Sequence, residues 1–124
     1  MSRSTGPDLD TVMLVLDRDG YHCVRDGVPI QGERGVDFAI HHRRPRAMGG
    51  TRRDDANSPA NLLSLCAPCH DWIESNRNES RTAGWLVPLM WDPATVPVIV
   101  AQGKRLVHLS AEGGYVDVPA EVTA

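Results

Sequence analysis

The chain has 124 residues, which is enough for one small domain and too few for a doubly wound sheet with a second domain or for a large barrel. Its formal net charge of −3 argues against a general nucleic-acid coat protein, which is normally basic. No apolar run reaches the roughly 20 residues that a bilayer span requires, and the first seven residues lack the apolar core of a signal peptide. We therefore expect a cytoplasmic protein.

The charge is unevenly distributed along the chain. Residues 34–53 carry six arginines and one acid, Asp37, whereas the segments on either side are both acidic. Arginine supplies twelve of the thirteen basic side chains, and its planar guanidinium suits bidentate contacts with phosphate. The sequence therefore predicts one concentrated basic stretch in an otherwise acidic protein.

The first predicted element is a short helix. The apolar residues within positions 8–19 lie largely along one helical face. Asp8 or Asp10 can cap this helix at its start, and Gly20 can end it. A turn-rich stretch that contains Cys23 follows.

Strand and loop signals alternate in the middle of the chain. Residues 36–42 alternate apolar and polar side chains, and residues 61–65 form a short apolar strand or extended segment. Between them, residues 43–60 are rich in Pro, Gly, Asp and Asn, which predicts a long loop. Residues 70–77 then predict a helix that begins at or inside the tight turn formed by residues 66–69.

From residue 84 onward the pattern changes to short apolar runs, separated by glycine-containing breaks at 102–104 and 112–114. Such runs predict two or three antiparallel strands. The fold class that we predict is α+β, with a domain at residues 1–83 whose core motif spans 36–77. A β-strand extension at residues 84–124 is predicted to pack on the same domain.

The residues that can carry chemistry cluster in one region. His41 and His42 end the predicted strand, and His70 begins the predicted helix. Successive side chains of a strand point to opposite faces, so one histidine of the pair can face a metal while the other faces a substrate. A metal, an imidazole base and guanidinium groups are the components required to hydrolyse a phosphodiester.

Several spaced elements together resemble the motif of the HNH endonucleases. They are the string His-His-Arg-Arg-Pro at 41–45, the Gly-Gly pair at 49–50, and the segment Asn-Leu-Leu-Ser-Leu-Cys-Ala-Pro-Cys-His at 61–70. The resemblance covers roughly residues 17–77 and implies a small ββα-metal (His-Me finger) domain. The size and sequence style are similar to those of small HNH proteins of tailed phages.

The resemblance implies a role for each matching residue. His41 and His70 fall on metal ligands, His42 on the general base that activates water, and Asn61 on the residue that braces the loop by hydrogen bonds. Glu74 lies one helical turn after His70 on the same face, where the family often has a histidine. It is a candidate oxygen ligand to the ion, with a surface position on the helix as the alternative.

The implied activity is metal-dependent hydrolysis of DNA, by nicking or by cutting both strands, with one divalent ion such as Mg²⁺ or Mn²⁺. The arginines of the loop are the candidate DNA-contacting residues: Arg43, Arg44, Arg46, Arg52 and Arg53. In phages, proteins of this family often work beside the terminase during DNA packaging, so terminase subunits are candidate partners. Both a monomer and a homodimer are compatible with the sequence.

The cysteines suggest a second metal site. In a reducing compartment, an odd cysteine count with one CxxC pair favours a metal or catalytic site over disulfides. Many HNH proteins carry a zinc site made of two CxxC pairs. Here Cys66 and Cys69 form one pair, whereas Cys23 is followed at +3 by Asp26. Zinc accepts carboxylate oxygen, so these four residues can form a structural zinc site. His22 is an alternative fourth ligand, and a decayed site without zinc is the third interpretation.

Two other functions are compatible with the sequence. The first is a non-catalytic, zinc-stabilised module that binds nucleic acid or protein, and the second is a nuclease that acts on RNA. The simultaneous presence of His42, Asn61 and His70 favours a nuclease over the non-catalytic module.

Overall fold

The computed structural model describes residues 6–45 and 56–118, and these form a small α+β domain with three helices and two antiparallel sheets. The predicted α+β class is therefore confirmed. The elements are α1 Leu9–Arg18, β1 Phe38–His42, β2 Leu62–Cys66, α2 Ala67–Ser75, α3 Arg77–Ala83, β3 Val98–Val100, β4 Arg105–Leu109 and β5 Tyr115–Asp117. No helix in these two ranges is long and apolar enough to cross a membrane.

Helix α1 begins where the sequence predicts. The Asp8 carboxylate accepts a hydrogen bond of 2.9 Å from the Thr11 backbone N–H, so Asp8 is the capping residue. Asp10 lies in the first turn, where its negative charge interacts favourably with the positive end of the helix dipole. Gly20 follows the helix with a φ of 69°, a conformation that glycine adopts without strain.

Strands β1 and β2 pair antiparallel, with Phe38 opposite Cys66 and His42 opposite Leu62. All five residues of β2 are buried, which fits its largely apolar sequence, in which Ser64 is the one polar residue. Strand β1 begins two residues later than predicted, because the backbone N–H of Val36 bonds to the Glu33 carbonyl in a preceding turn.

Helix α2 follows β2 directly and begins at Ala67, inside the tight turn where the sequence predicts its start. Pro68 lies in its first turn, where the missing N–H costs no helical hydrogen bond. The helix ends at Ser75, and Asn76 (φ −135°) separates it from α3, which was not predicted. The Ser80 hydroxyl donates to the Ile73 and Asn76 carbonyls and so fastens α3 to the end of α2.

The predicted C-terminal strands form a second sheet in the order β3-β4-β5. Its inward-facing residues Val98, Val100, Val107 and Leu109 join the same hydrophobic cluster as the buried residues of α1 and β2. The two ends of the described chain therefore share one core.

A buried arginine connects the first sheet to the segments that lead into the second. Arg43 follows β1 directly and has no exposed surface. Its Nε donates to the Gly84 carbonyl at 2.8 Å, and its Nη1 donates to the carbonyls of Ala60 at 2.8 Å and Pro93 at 2.9 Å. Its Nη2 donates to the Val96 carbonyl at 2.8 Å. Four carbonyls from separate parts of the chain thus share one guanidinium.

Gly84 is required at one of these contacts. It ends α3 in the left-handed conformation (φ 84°), and a Cβ at this position would collide with the Pro97 carbonyl. The absence of a side chain lets the segment before β3 pass close to the end of α3. The Gly84 carbonyl can then reach Arg43.

We expect Arg43→Lys to lower the free energy of unfolding by at least about 3 kcal/mol, because a lysine cannot span carbonyls that a planar guanidinium reaches and would leave several of them buried without a donor. Urea unfolding followed by circular dichroism measures the loss. Arg81→Lys on the exposed face of α3 is the matched control, and it should change stability by less than about 0.5 kcal/mol. A loss at Arg43 no larger than that of the control would contradict the role given to this residue.

Candidate functional site

His41 is buried near the end of β1, with 3% of its surface exposed. Its Nε2 lies 2.8 Å from the Trp85 carbonyl oxygen. Because a carbonyl only accepts, Nε2 carries the ring proton and the lone pair is on Nδ1. Burial lowers the pKa of His41 to about 4, and the nearby positive groups act in the same direction. The ring is therefore neutral at pH 7, and histidines that bind metals are commonly held in this way.

His70 lies next to His41. The centres of the two rings are 5.4 Å apart and the ring planes are inclined by 70°. His41 comes from the end of β1 and His70 from the first turns of α2, so residues distant in sequence meet where the first sheet joins the helix. Two neighbouring imidazoles are a donor set that Mn²⁺, Zn²⁺ or a similar ion accepts.

His42, the last residue of β1, is half-buried, and its Nε2 lies 2.8 Å from the Asn57 side-chain oxygen. Because Nε2 donates a hydrogen bond to the Asn57 oxygen, the basic lone pair of His42 is on Nδ1. Sequence reasoning missed Asn57, because its spacing did not distinguish it from the other polar residues of the long loop.

Asn61 joins the two described ends of that loop. Its side-chain oxygen accepts from the Arg44 backbone N–H at 2.8 Å. Its side-chain amide donates to the carbonyls of Ala56 at 2.9 Å and Arg44 at 3.3 Å. Asn61 is itself buried, so these bonds hold the loop ends in one arrangement next to His42.

Glu74 lies on the exposed face of α2, where its Oε1 accepts from the Arg77 guanidinium at 2.6 Å. The Glu74 side chain is 55% exposed. This surface ion pair favours the alternative that Glu74 is a surface residue rather than a metal ligand.

Arg43 and Arg44, two of the candidate DNA-contacting residues, are buried. Their exposed fractions are 0% and 2%, and their guanidinium groups donate to backbone carbonyls. The Arg43 donors go to the four carbonyls described above, and Arg44 Nη1 donates to the Trp91 carbonyl at 2.9 Å. The other three predicted DNA-contacting residues, Arg46, Arg52 and Arg53, lie outside the described residues.

A cluster of three cysteines and one aspartate includes Cys69 from the first turn of α2. One ligand atom each from Cys23, Asp26, Cys66 and Cys69 lie within 4.8 Å of one another. Ligand atoms around a tetrahedral zinc are about 3.8 Å apart for bond lengths near 2.3 Å, so the four residues are close to a closed zinc site. The backbone N–H of Val24 donates to the Ser64 carbonyl, which holds the Cys23 turn against β2.

Asp26 rather than His22 completes the cluster. The His22 Nδ1 bonds to the Gly20 carbonyl at 2.7 Å, and His22 is exposed outside the group of four. Burial alone would raise the pKa of Asp26, but hydrogen bonds from the Val28 N–H and the cysteine thiols outweigh it and lower this pKa. Asp26 is therefore a ready anionic oxygen donor. Burial also raises the pKa of Cys23 and Cys69, so a bound cation is what would ionise these thiols.

Comparisons with known proteins add no neighbour to these observations. No family model matched the chain, and no curated protein or solved structure matched it either. The resemblance to HNH endonucleases therefore rests on the residues of this chain alone.

We expect the purified chain to bind one zinc ion, and metal analysis after mild chelation and reconstitution measures this. Cys69→Ser should abolish stoichiometric binding, and Asp26→Ala should weaken it, because each removes one of the four donors. His22→Ala is the control and should bind zinc as the wild type does. A zinc content near zero in a protein that is still folded would refute the site.

The lowered pKa of His41 predicts a pH-dependent stability. The unfolded chain takes up the proton near pH 6.5 and the folded chain only near pH 4, so the contribution of His41 is complete above pH 6.5 and is lost as the pH falls towards 4. Unfolding free energies of the wild type and His41→Asn, measured without added divalent ions, should therefore converge between pH 7 and pH 4.5. A difference that stays constant over this range would show that His41 titrates normally.

Proposed function

We propose that the protein is a metal-dependent endonuclease of the HNH type that hydrolyses DNA phosphodiester bonds. The observation that carries this proposal is the meeting of His41 and His70, together with a defined hydrogen bond on Nε2 of each strand histidine, His41 and His42. Strand β1, strand β2 and helix α2 follow one another in the order that a ββα-metal centre requires. This agreement between order and site supports the finer fold assignment.

Each residue of the candidate site has a distinct role in the proposed reaction. His41, through Nδ1, and His70 would hold the divalent ion, which supplies Lewis-acid stabilisation of charge on the phosphate and the leaving oxygen. His42, oriented by its hydrogen bond to Asn57, takes the proton of the attacking water. Asn61 keeps the loop ends fixed around this base. The resemblance to HNH endonucleases implies products with 5′-phosphate and 3′-hydroxyl ends.

Zinc bound by the cysteine cluster would have a structural role in this proposal. Cys69 and His70 are consecutive residues at the start of α2. A closed four-ligand site on Cys69 therefore holds the first turn of the helix, and with it the position of His70. DNA is the proposed partner; a phage origin and a terminase partner follow from the resemblance alone.

An exposed apolar turn favours a second candidate, the non-catalytic binding module. Met90 is 84% exposed and Trp91 is 58% exposed, although the turn that carries them is held by the bond from Trp91 N–H to the Pro88 carbonyl. Large apolar side chains displayed on an ordered turn are typical of surfaces that bind another macromolecule.

Plasmid cleavage decides between the two functions. We expect the wild type to nick or linearise supercoiled DNA with Mg²⁺, Mn²⁺ or Zn²⁺, and we expect His42→Ala to lower the rate at least about 100-fold, because the general base is lost. His108→Ala, on strand β4 of the second sheet, is the matched control and should cleave at the wild-type rate.

Two outcomes would contradict the proposal in different ways. Equal nicking by the wild type and His42→Ala would remove His42 as the base. No cleavage with any of the three metals, together with retained binding to DNA, would favour the non-catalytic module.

A further inference from the structure

Arg25 lies directly against the cysteine cluster, although nothing in the sequence pattern singled it out. Its Nη1 donates to Cys69 Sγ at 3.3 Å. Its guanidinium carbon lies 3.6 Å from the centre of the Trp72 ring and 5.7 Å from that of Trp85. Within residues 6–45 and 56–118, Cys69 is its only side-chain hydrogen-bond partner, and no carboxylate lies at ion-pair distance from it.

The net charge of the metal-loaded cysteine cluster explains why a positively charged side chain, Arg25, lies against it. Three thiolates and one carboxylate carry four negative charges, so a divalent ion leaves a net charge of −2 among largely buried groups. Uncompensated charge away from water is unfavourable. A guanidinium that donates to one of the sulfurs offsets part of this charge. A cluster of neutral thiols, by comparison, carries no negative charge to offset.

The position of Arg25 also joins the two halves of the ligand set. It lies in the turn that supplies Cys23 and Asp26, whereas its contacts, Cys69 and Trp72, lie three residues apart on one face of α2. Stacking on Trp72 fixes the plane of the guanidinium and aims its N–H at the sulfur. Such contacts around a ligand commonly set metal affinity.

We propose that Arg25 is a positioning residue of the metal site, which offsets the charge of the bound ion through its hydrogen bond to Cys69 and makes Trp72 a reporter of metal occupancy. This inference rests on the zinc site put forward above. It adds to that site a residue that is not a ligand, and an optical signal.

The test compares Arg25→Gln and Arg25→Lys with the wild-type full chain. Zinc affinity is measured by competition with a chelator, and tryptophan emission is followed in the same titration. Arg25→Gln removes the charge and should raise the Kd for zinc about 10- to 100-fold. Arg25→Lys keeps the charge without the planar stack and should lie between the two. Arg81→Gln, which removes one exposed positive charge elsewhere, is the matched control and should bind zinc as the wild type does.

The spectroscopic signal separates this role from a general loss of stability. Zinc should change the tryptophan emission of the wild type, and saturating zinc should change that of Arg25→Gln much less. Co²⁺ in place of zinc should give thiolate-to-metal charge-transfer absorption in every variant, because the ligands are intact.

The outcomes distinguish this inference from the zinc site itself. If the folded wild type binds no zinc, the site and the role of Arg25 both fall. If the wild type binds zinc and Arg25→Gln binds it equally well, the role of Arg25 is overturned and the site stands. Should Arg25→Gln fail to fold, Arg25→Lys decides: a Kd above that of the wild type supports the role, and an equal Kd overturns it.

Discussion

The buried guanidinium of Arg43 is the interaction on which the arrangement of the candidate site depends. Carbonyls in irregular segments need donors when they leave water, and Arg43 supplies donors to four of them at once. One acceptor, Gly84, precedes Trp85, whose carbonyl in turn accepts from His41. The tautomer of His41 is therefore determined through a backbone segment that Arg43 holds in place.

Helix α2 connects the two candidate metal centres. Successive residues of a helix point about 100° apart, so Cys69 and His70 are directed to different surroundings from a single turn. Cys69 is buried in the cysteine cluster, and His70 lies against His41. A small displacement of this turn would alter both sites together. A metal ion bound by the cysteine cluster would hold the turn in place, and a small domain with a limited core gains stability from such an ion.

Local patterns predicted a large part of this structure. A cap at Asp8 or Asp10, a strand ending in His41 and His42, two or three C-terminal strands and a candidate grouping of Cys23 and Asp26 with the CxxC pair all depend on nearby residues or on a known spacing. The burial of Arg43 could not be predicted in this way, since an arginine after a strand is usually solvated and its acceptors come from distant segments. The contacts of Asn57 and the Trp85 carbonyl were missed for the same reason.

The turn between β3 and β4 connects the second sheet to the turn that carries Cys23 and Asp26. Ala101 and Gln102 both have positive φ (56° and 59°), and the Gln102 side chain donates to the Asp26 carbonyl at 2.7 Å. The last sheet therefore contacts the very turn that carries two of the candidate zinc ligands, while Arg43 draws most of its acceptors from the segment before that sheet. Three of the four carbonyls that accept from Arg43, and the Gln102 contact to the Asp26 turn, come from residues beyond α2. The region that carries the histidines and cysteines therefore depends on the C-terminal part of the chain for its own structure.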